Sequence, residues 1–361
     1  MPNRLLAGAC AALLLPACAI TSAGTPAPPG PRAVAEAWES AVSPADELDS
    51  LATWGTPGGA TWVIASAKAS HRLVVYDGDT GVQLRSVGDA GASPGQFRRP
   101  NGLAVRGDHL FVVERDNHRV QVLSLPGFEP LGSFGDAELR SPYGIWVDET
   151  EPGELQAYVT DSFMYGERFD REPPLQELGQ RVRRYRVQFD QAGRLRTRYA
   201  GAFGDTSAAG ALRRVESIGG DHANDRLLVA DESRGGPGRG STLREYTLAG
   251  RYTGRSLPPG SFSAEAEGVV LWDCPGGGGY WVAVDQVAPL TRFHLFDRKT
   301  LATRGTFEGK RTAFTDGVAL RGTASARFPG GALYAVSDDA TITAFDLREV
   351  AAALGLDPRC V

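Results

Sequence analysis

The sequence predicts an all-β fold, a six-bladed β-propeller, and three observations carry that expectation. A unit of short apolar strands recurs six times at a spacing of roughly fifty to sixty residues, which is within the range of propeller blades. Turn residues are plentiful, with 45 glycines and 23 prolines in 361 residues, a supply that suits many short strands and disfavours long helices. Each unit also shares one grammar: a polar or acidic residue opens the first strand, another closes the second, and the third ends on an aromatic residue and often Asp.

In chain order, the first unit reads 49–54, 61–65 and 73–77, and the second 101–105, 110–114 and 119–123. The third reads 143–147, 157–161 and 182–187, and the fourth 216–220, 227–232 and 243–248. The fifth is carried by 264–272 and 281–286, and the sixth by 316–320, 333–339 and 342–346. The stretch 34–42 suits a short helix or a strand. If the ring closes as many propellers do, it supplies an outer strand to the last blade, and closure removes exposed sheet edges. Insertions at 166–180 and 235–240 fall between strands, and the tail 346–356 reads as a brief helix capped by Asp346.

Ahead of the propeller (33–361), residues 1–18 read as an export segment. Arg4 is basic, 5–15 is apolar, and Leu15-Pro16-Ala17-Cys18 resembles a lipobox whose cysteine is acylated. Residues 19–32 then form a disordered tether. The expectation is an exported protein, in the periplasm or as an outer-membrane lipoprotein, that touches membrane only through its lipid anchor; ordinary signal-peptidase cleavage nearby is the alternative. Either route places Cys274 and Cys360 in an oxidising compartment, where a disulfide would tie the tail to the fifth blade. Two free buried thiols are the other possibility. A formal charge of −5 argues against a nucleic-acid partner, no segment after residue 20 is apolar for long enough to cross a bilayer, and a monomer is expected.

Familiar catalytic motifs fail on inspection. Gly91-Ala92-Ser93-Pro94-Gly95 has the hydrolase nucleophile spacing but lacks the strand and helix around it, and Pro94 has no N–H to offer an oxyanion. Residues 305–310 miss the spacing and hydroxyl of a P-loop. The five histidines are scattered without zinc-ligand spacing.

Repeat phase is more informative. Equivalent positions of successive blades are related by rotation about one axis, so they converge at one mouth. The slot opening the first strand holds Asp49, Arg99 with Asn101, Tyr143, Glu216, Glu265 with Glu267, and Asp316. The slot closing the second holds Lys68, Asp161, Asp231 with Glu232, Asp285 with Gln286, and Asp338 with Asp339. Taken singly, such residues are commonly solvated turn carboxylates. Taken in register, so many anions around one opening repel unless neutralised, and Ca²⁺, which accepts about six to eight oxygens in loose geometry, suits the ring better than Mg²⁺.

In order along the chain, these residues resemble the β-propeller phytases. The segment 49–54 followed by 64–77 with Lys68 is similar to that family's opening, Arg99-Pro100-Asn101 to its Arg-x-Asn-Asn, and Tyr143-Gly144 to its Tyr-Gly-Phe. Glu216 with Asp231-Glu232, Glu265-Ala266-Glu267-Gly268, Asp285-Gln286 and Thr315-Asp316-Gly317 follow in the family's order. The resemblance implies several Ca²⁺ ions at one mouth and hydrolysis of inositol phosphates by a metal-held water. It implies that Asp49, Glu216, Glu232, Glu265, Glu267, Gln286 and Asp316 hold metal, that Glu216, Glu267 and Asp316 carry the chemistry, and that Lys68, Arg99 and Tyr143 grip phosphate. The chain departs from the family at Ser50, Ala69, Asp161-Ser162 and Ser217, with a loss of positive charge from the phosphate pocket. Residues 94–125 also resemble an NHL repeat, which implies two alternatives, a binding propeller or a Ca²⁺-dependent lactonase.

Overall fold

A computed structural model describes residues 30–233 and 240–361. Cys18, the export segment and most of the tether lie outside the described residues, as does most of the 235–240 insertion.

Residues 31–361 form a six-bladed β-propeller. Blade 1 is Leu48–Gly55, Thr61–Ala67, Arg72–Asp77 and Gln83–Val87. Blade 2 is Pro100–Arg106, His109–Glu114, Arg119–Ser124 and Glu129–Phe134, and blade 3 is Pro142–Glu151, Glu154–Asp161, Val182–Phe189 and Leu195–Phe203. Blade 4 is Val215–Asp221, Arg226–Asp231, Thr242–Tyr246 and Tyr252–Ser256, and blade 5 is Ala266–Cys274, Gly278–Asp285, Arg292–Asp297 and Thr303–Glu308. Blade 6 takes Val318–Arg321, Ala332–Ser337 and Thr341–Asp346 from the end of the chain and its outer strand, Trp38–Glu39, from the beginning. Just before that strand, Arg32–Ala33 runs parallel to the outer strand of blade 5. The chain start thus clasps two blades, and the ring closes through backbone hydrogen bonds.

The core consists of apolar seams between adjacent blades. Trp54, Ile64 and Val75 of blade 1 meet Leu103, Val112 and Leu123 of blade 2, and Phe111, Val113 and Val122 of blade 2 turn the other way to meet Val147, Ala157 and Val159 of blade 3. Successive residues of a strand point to opposite faces, so a second strand buried on both faces reads as an unbroken apolar run, such as Val63-Ile64-Ala65, all fully buried. Burying each of the larger side chains contributes about 1.5–3 kcal/mol. Outer strands face water; Gln83–Val87 is exposed along most of its length.

The short helix Leu347–Leu354 is capped by Asp346, whose carboxylate accepts the Arg348 N–H at 2.9 Å. Leu347, Val350 and Ala351 bury into the seam between blades 5 and 6. Beyond the helix, the Cys360 sulfur is bonded to that of Cys274 in blade 5.

Candidate metal centre at the propeller mouth

The first strand of each blade opens on a slot residue followed by a small one: Asp49-Ser50, Asn101-Gly102, Tyr143-Gly144, Glu216-Ser217, Glu267-Gly268 and Asp316-Gly317. In blades 1 to 5 the register slips immediately there, Leu48 pairing with Ala67 but Leu51 with Ala65, and likewise in the other four. Such a bulge re-aims one side chain, and here it turns the slot residue toward the axis. The small neighbour is required by crowding. A Cβ on Gly144 would strike the Glu216 carbonyl of the next blade, and one on Gly317 would strike that of Asp49, where the last blade meets the first.

On the side of blades 6 and 1 the slot carboxylates are compensated. The Lys68 ammonium, itself buried, lies 2.7 Å from Asp49 Oδ2, 3.5 Å from Asp316 Oδ2 and 3.6 Å from Glu47 Oε1. Gln286 Nε2 donates to Asp316 Oδ1 at 2.6 Å and the Tyr143 hydroxyl to Asp49 Oδ2 at 3.1 Å. Although burial opposes it, the carboxylates around Lys68 hold its pKa above the ordinary lysine value. Asp316 is pushed up to about 8, by burial first and then by Asp49.

On the side of blades 4 and 5 the carboxylates face one another. Glu216, Glu232 and Glu267 each bring an oxygen to within 4.8 Å of the others. Burial raises all three pKa values, Glu216 and Glu267 well above the ordinary range; Glu232 adds to the rise at Glu216, and Glu216 to the rise at Glu267. Glu232 accepts hydrogen bonds from both neighbours, which depresses its own rise. Burial and like charge thus both oppose the ionised forms of Glu216 and Glu267. In the corresponding slot of blade 2, Asn101 is fully buried and neither side-chain Nδ2 nor Oδ1 has a hydrogen-bond partner among the described residues.

The structure thus joins Asp49, Lys68, Tyr143, Glu216, Glu232, Glu267, Gln286 and Asp316 in one network, with the Glu265 charge felt at Glu232. Among the described residues, Arg99 reaches it through Glu47, at 3.1 Å. Three of the carboxylates expected at the mouth lie elsewhere. Asp161, Asp231 and Asp285 are fully buried within their own blades, where they accept the backbone N–H of Ser141, Arg214 and Ala264 and face Arg183, Arg244 and His294 on the third strand. Glu114 does the same in blade 2 with Arg98 N and Arg119. Each ends the second strand in register with the residue before a slot, so only the next residue along, such as Glu232 or Gln286, belongs to the mouth network.

Beside the trio, on the blade 2, 3 and 4 side, opens a cleft of about 570 Å³ bounded by Tyr143 and Glu216 and lined by Arg115, Arg140 and Arg214. Sequence reasoning passed over these arginines. A signal was present, since an Arg stands just before the first strand in three consecutive blades, at Arg98-Arg99, Arg140 and Arg213-Arg214.

The fold and the site define a six-bladed β-propeller whose mouth carries a buried carboxylate centre. Residues 97–123 match the NHL repeat family, and the chain contains that repeat in blade 2. No curated protein matches the chain. Among solved structures, an inactive virginiamycin B lyase from Staphylococcus aureus crystallised with quinupristin is similar at 11% identity and a TM-score of 0.45, over 83% of this chain and 96% of that one. A chain of a nidogen/laminin complex is similar at 16% identity and a TM-score of 0.46, over 76% of this chain and 85% of that one. Hydrazine synthase from Kuenenia stuttgartiensis follows at 14% identity and a TM-score of 0.42, over 94% and 83%.

Proposed function

We propose that this chain is an exported, calcium-dependent phosphomonoesterase working at the Glu216–Glu232–Glu267 centre, with inositol phosphates among its substrates and Cys18 as its lipid anchor. The observation that carries the reading is that trio: the buried Glu232 and Glu267 and the half-buried Glu216, whose oxygens lie within 4.8 Å of one another and whose charged neighbours include further carboxylates. The donor set fits a hard divalent cation. Oxygen-only ligands suit Ca²⁺, and a bound cation would relieve the like charge that, after burial, raises Glu216 through Glu232 and Glu267 through Glu216, any proton they carry being released on binding. Asp49 and Asp316, whose charges add to the rise at Glu216, Glu265, whose charge is felt at Glu232, and Gln286, bonded to Asp316, would be the outer oxygen donors. When bound, such a cation polarises a phosphoryl oxygen and lowers the pKa of water.

The remaining roles fall to this chain's own groups. Arg115, Arg140 and Arg214 line the cleft that leads to Glu216 and draw in a phosphate dianion, which an acidic centre alone would repel. Lys68, held by Asp49 and Asp316, keeps the far half of the mouth compensated, and Tyr143 stands between the two halves. Overall, water forms a new bond to phosphorus, the ester P–O bond breaks, and the proton from water ends on the released alcohol.

The test is phosphate release from inositol hexakisphosphate by the mature chain with Ca²⁺. Activity should disappear with chelator and in Glu267→Gln; release that persists in both would sink the proposal. A second reading, a non-catalytic binding propeller, is favoured by the NHL match at 97–123. It requires a protein or surface ligand that binds equally with and without Ca²⁺.

A further inference from the structure

The cleft beside the glutamate centre has more in it than an anion trap needs. Its cations come from three blades, with Arg115 following the second strand of blade 2 and Arg140 and Arg214 preceding the first strands of blades 3 and 4. Asp116 and Glu177 each meet one guanidinium, at 2.8 Å from Arg115 and 3.6 Å from Arg140. Alongside Ser141, Ser162 and His118, the wall carries an apolar patch of Phe163, Met164 and Phe169 from the segment between the second and third strands of blade 3. Phe163 is buried, and the Arg140 guanidinium lies 3.9 Å from its ring centroid. Phe169 is 74% exposed and sits at a φ of 52°.

Neither feature of Phe169 helps the fold. An exposed ring forgoes burial, and a bulky side chain in the left-handed region strains the backbone, a conformation that clusters at ligand clamps. A polyhydroxylated polyanion would use the guanidiniums and gain nothing from the rings. A flat apolar body gains from both, by removing the Phe169 face from water and by stacking on it.

We propose that this cleft seats the alcohol portion of the substrate and selects phosphomonoesters of planar, apolar alcohols, aryl phosphates being the simplest. The phosphate lies toward Glu216 and Arg214, and the aryl group lies against Phe169. In the reaction, water bonds to phosphorus, the aryl C–O–P link breaks at the P–O bond, and the phenolate takes the proton that water gives up. This inference rests on the phosphatase reading above.

The experiment has a binding arm and a kinetic arm, both with the full mature chain. Calorimetric titration with phenylphosphonate and with methylphosphonate, which share a headgroup and cannot be hydrolysed, should show phenylphosphonate binding at least about tenfold tighter, with Phe169→Ala bringing the ratio close to one. In the presence of Ca²⁺, kcat/KM for phenyl phosphate should exceed that for inositol hexakisphosphate, and Phe169→Ala should lower the first mainly through KM. Equal affinity for the two phosphonates, or a ratio indifferent to Phe169→Ala, overturns the inference; phosphate release from inositol hexakisphosphate would then still stand for the parent reading. Selective phenylphosphonate binding without phosphate release from any ester overturns the parent reading and leaves a site for aromatic anions.

Discussion

Two sets of buried carboxylates sit within a residue or two of each other in this propeller, and chemistry treats them in opposite ways. Asp161 is buried beside Arg183 and the Ser141 N–H, so every neighbour named around it works against the burial that raises its pKa. Glu216, half-buried, has Glu232 beside it and feels Asp49 and Asp316 as well, so its neighbours add to the rise that burial begins. The first arrangement supplies its own counter-charge and holds a loop to a strand. The second leaves a demand for positive charge that protons or an external cation must meet. A buried acid thus indicates function when its own chain leaves it uncompensated, whereas burial alone does not.

The contrast can be broken from either side. The largest effect should come from Arg183→Ala or Arg244→Ala, which strands a buried aspartate. Removing one partner of a buried pair typically destabilises by about 3–5 kcal/mol, to be read as a lower urea midpoint; a loss below about 1 kcal/mol would show that these pairs hold nothing. Glu267→Gln should do the reverse. Without cations its stability should stay within about 1 kcal/mol of the parent or exceed it, while the calcium stabilisation, worth about 2.7 kcal/mol at a hundred times Kd, should vanish from thermal melts.

Lys68→Met would turn the compensated half of the mouth into a copy of the uncompensated half. It should destabilise the cation-free protein by about 1–3 kcal/mol, and added Ca²⁺ should restore more of that loss than it adds to the parent chain. The smallest effect is a slope. Asp316, raised to about 8 in the folded chain, is more protonated folded than unfolded between its ordinary value and about 8. Its contribution is therefore complete at low pH and lost as pH rises through about 8. Glu216 and Glu267 act in the same direction, so cation-free melting temperatures should fall from about pH 4 to about pH 8. Saturating Ca²⁺ should flatten the fall, and Asp316→Asn should reduce it.

Much of this was legible along the chain because propeller blades repeat. Middle strands such as 61–65 and 110–114 are apolar on both faces and stand out as runs, and four of the six slot residues follow from phase alone, while the bulges chose Asn101 over Arg99 and Glu267 over Glu265. Outer strands were not legible. Leu195–Phe203 buries only its last residue and carries no apolar run. The strand at Trp38–Glu39 is only two residues long, and it is a strand because blade 6 offers it an edge at Thr341–Asp346. The cleft was missed for a related reason: Arg115, Arg140 and Arg214 come from three blades and look like surface charge until the blades are placed side by side.

By itself, the order of residues determined the number of blades, the direction in which slot residues point and the acidic character of the mouth, because each depends on local periodicity and on a bulge beside a small residue. Only the tertiary structure decided which acids find a cation within the chain. Asp161 and Ser162 are sequence neighbours, as are Asp231 and Glu232, and a single step along a strand turns a side chain to the opposite face. The charge that side chain then meets belongs to a residue distant in sequence.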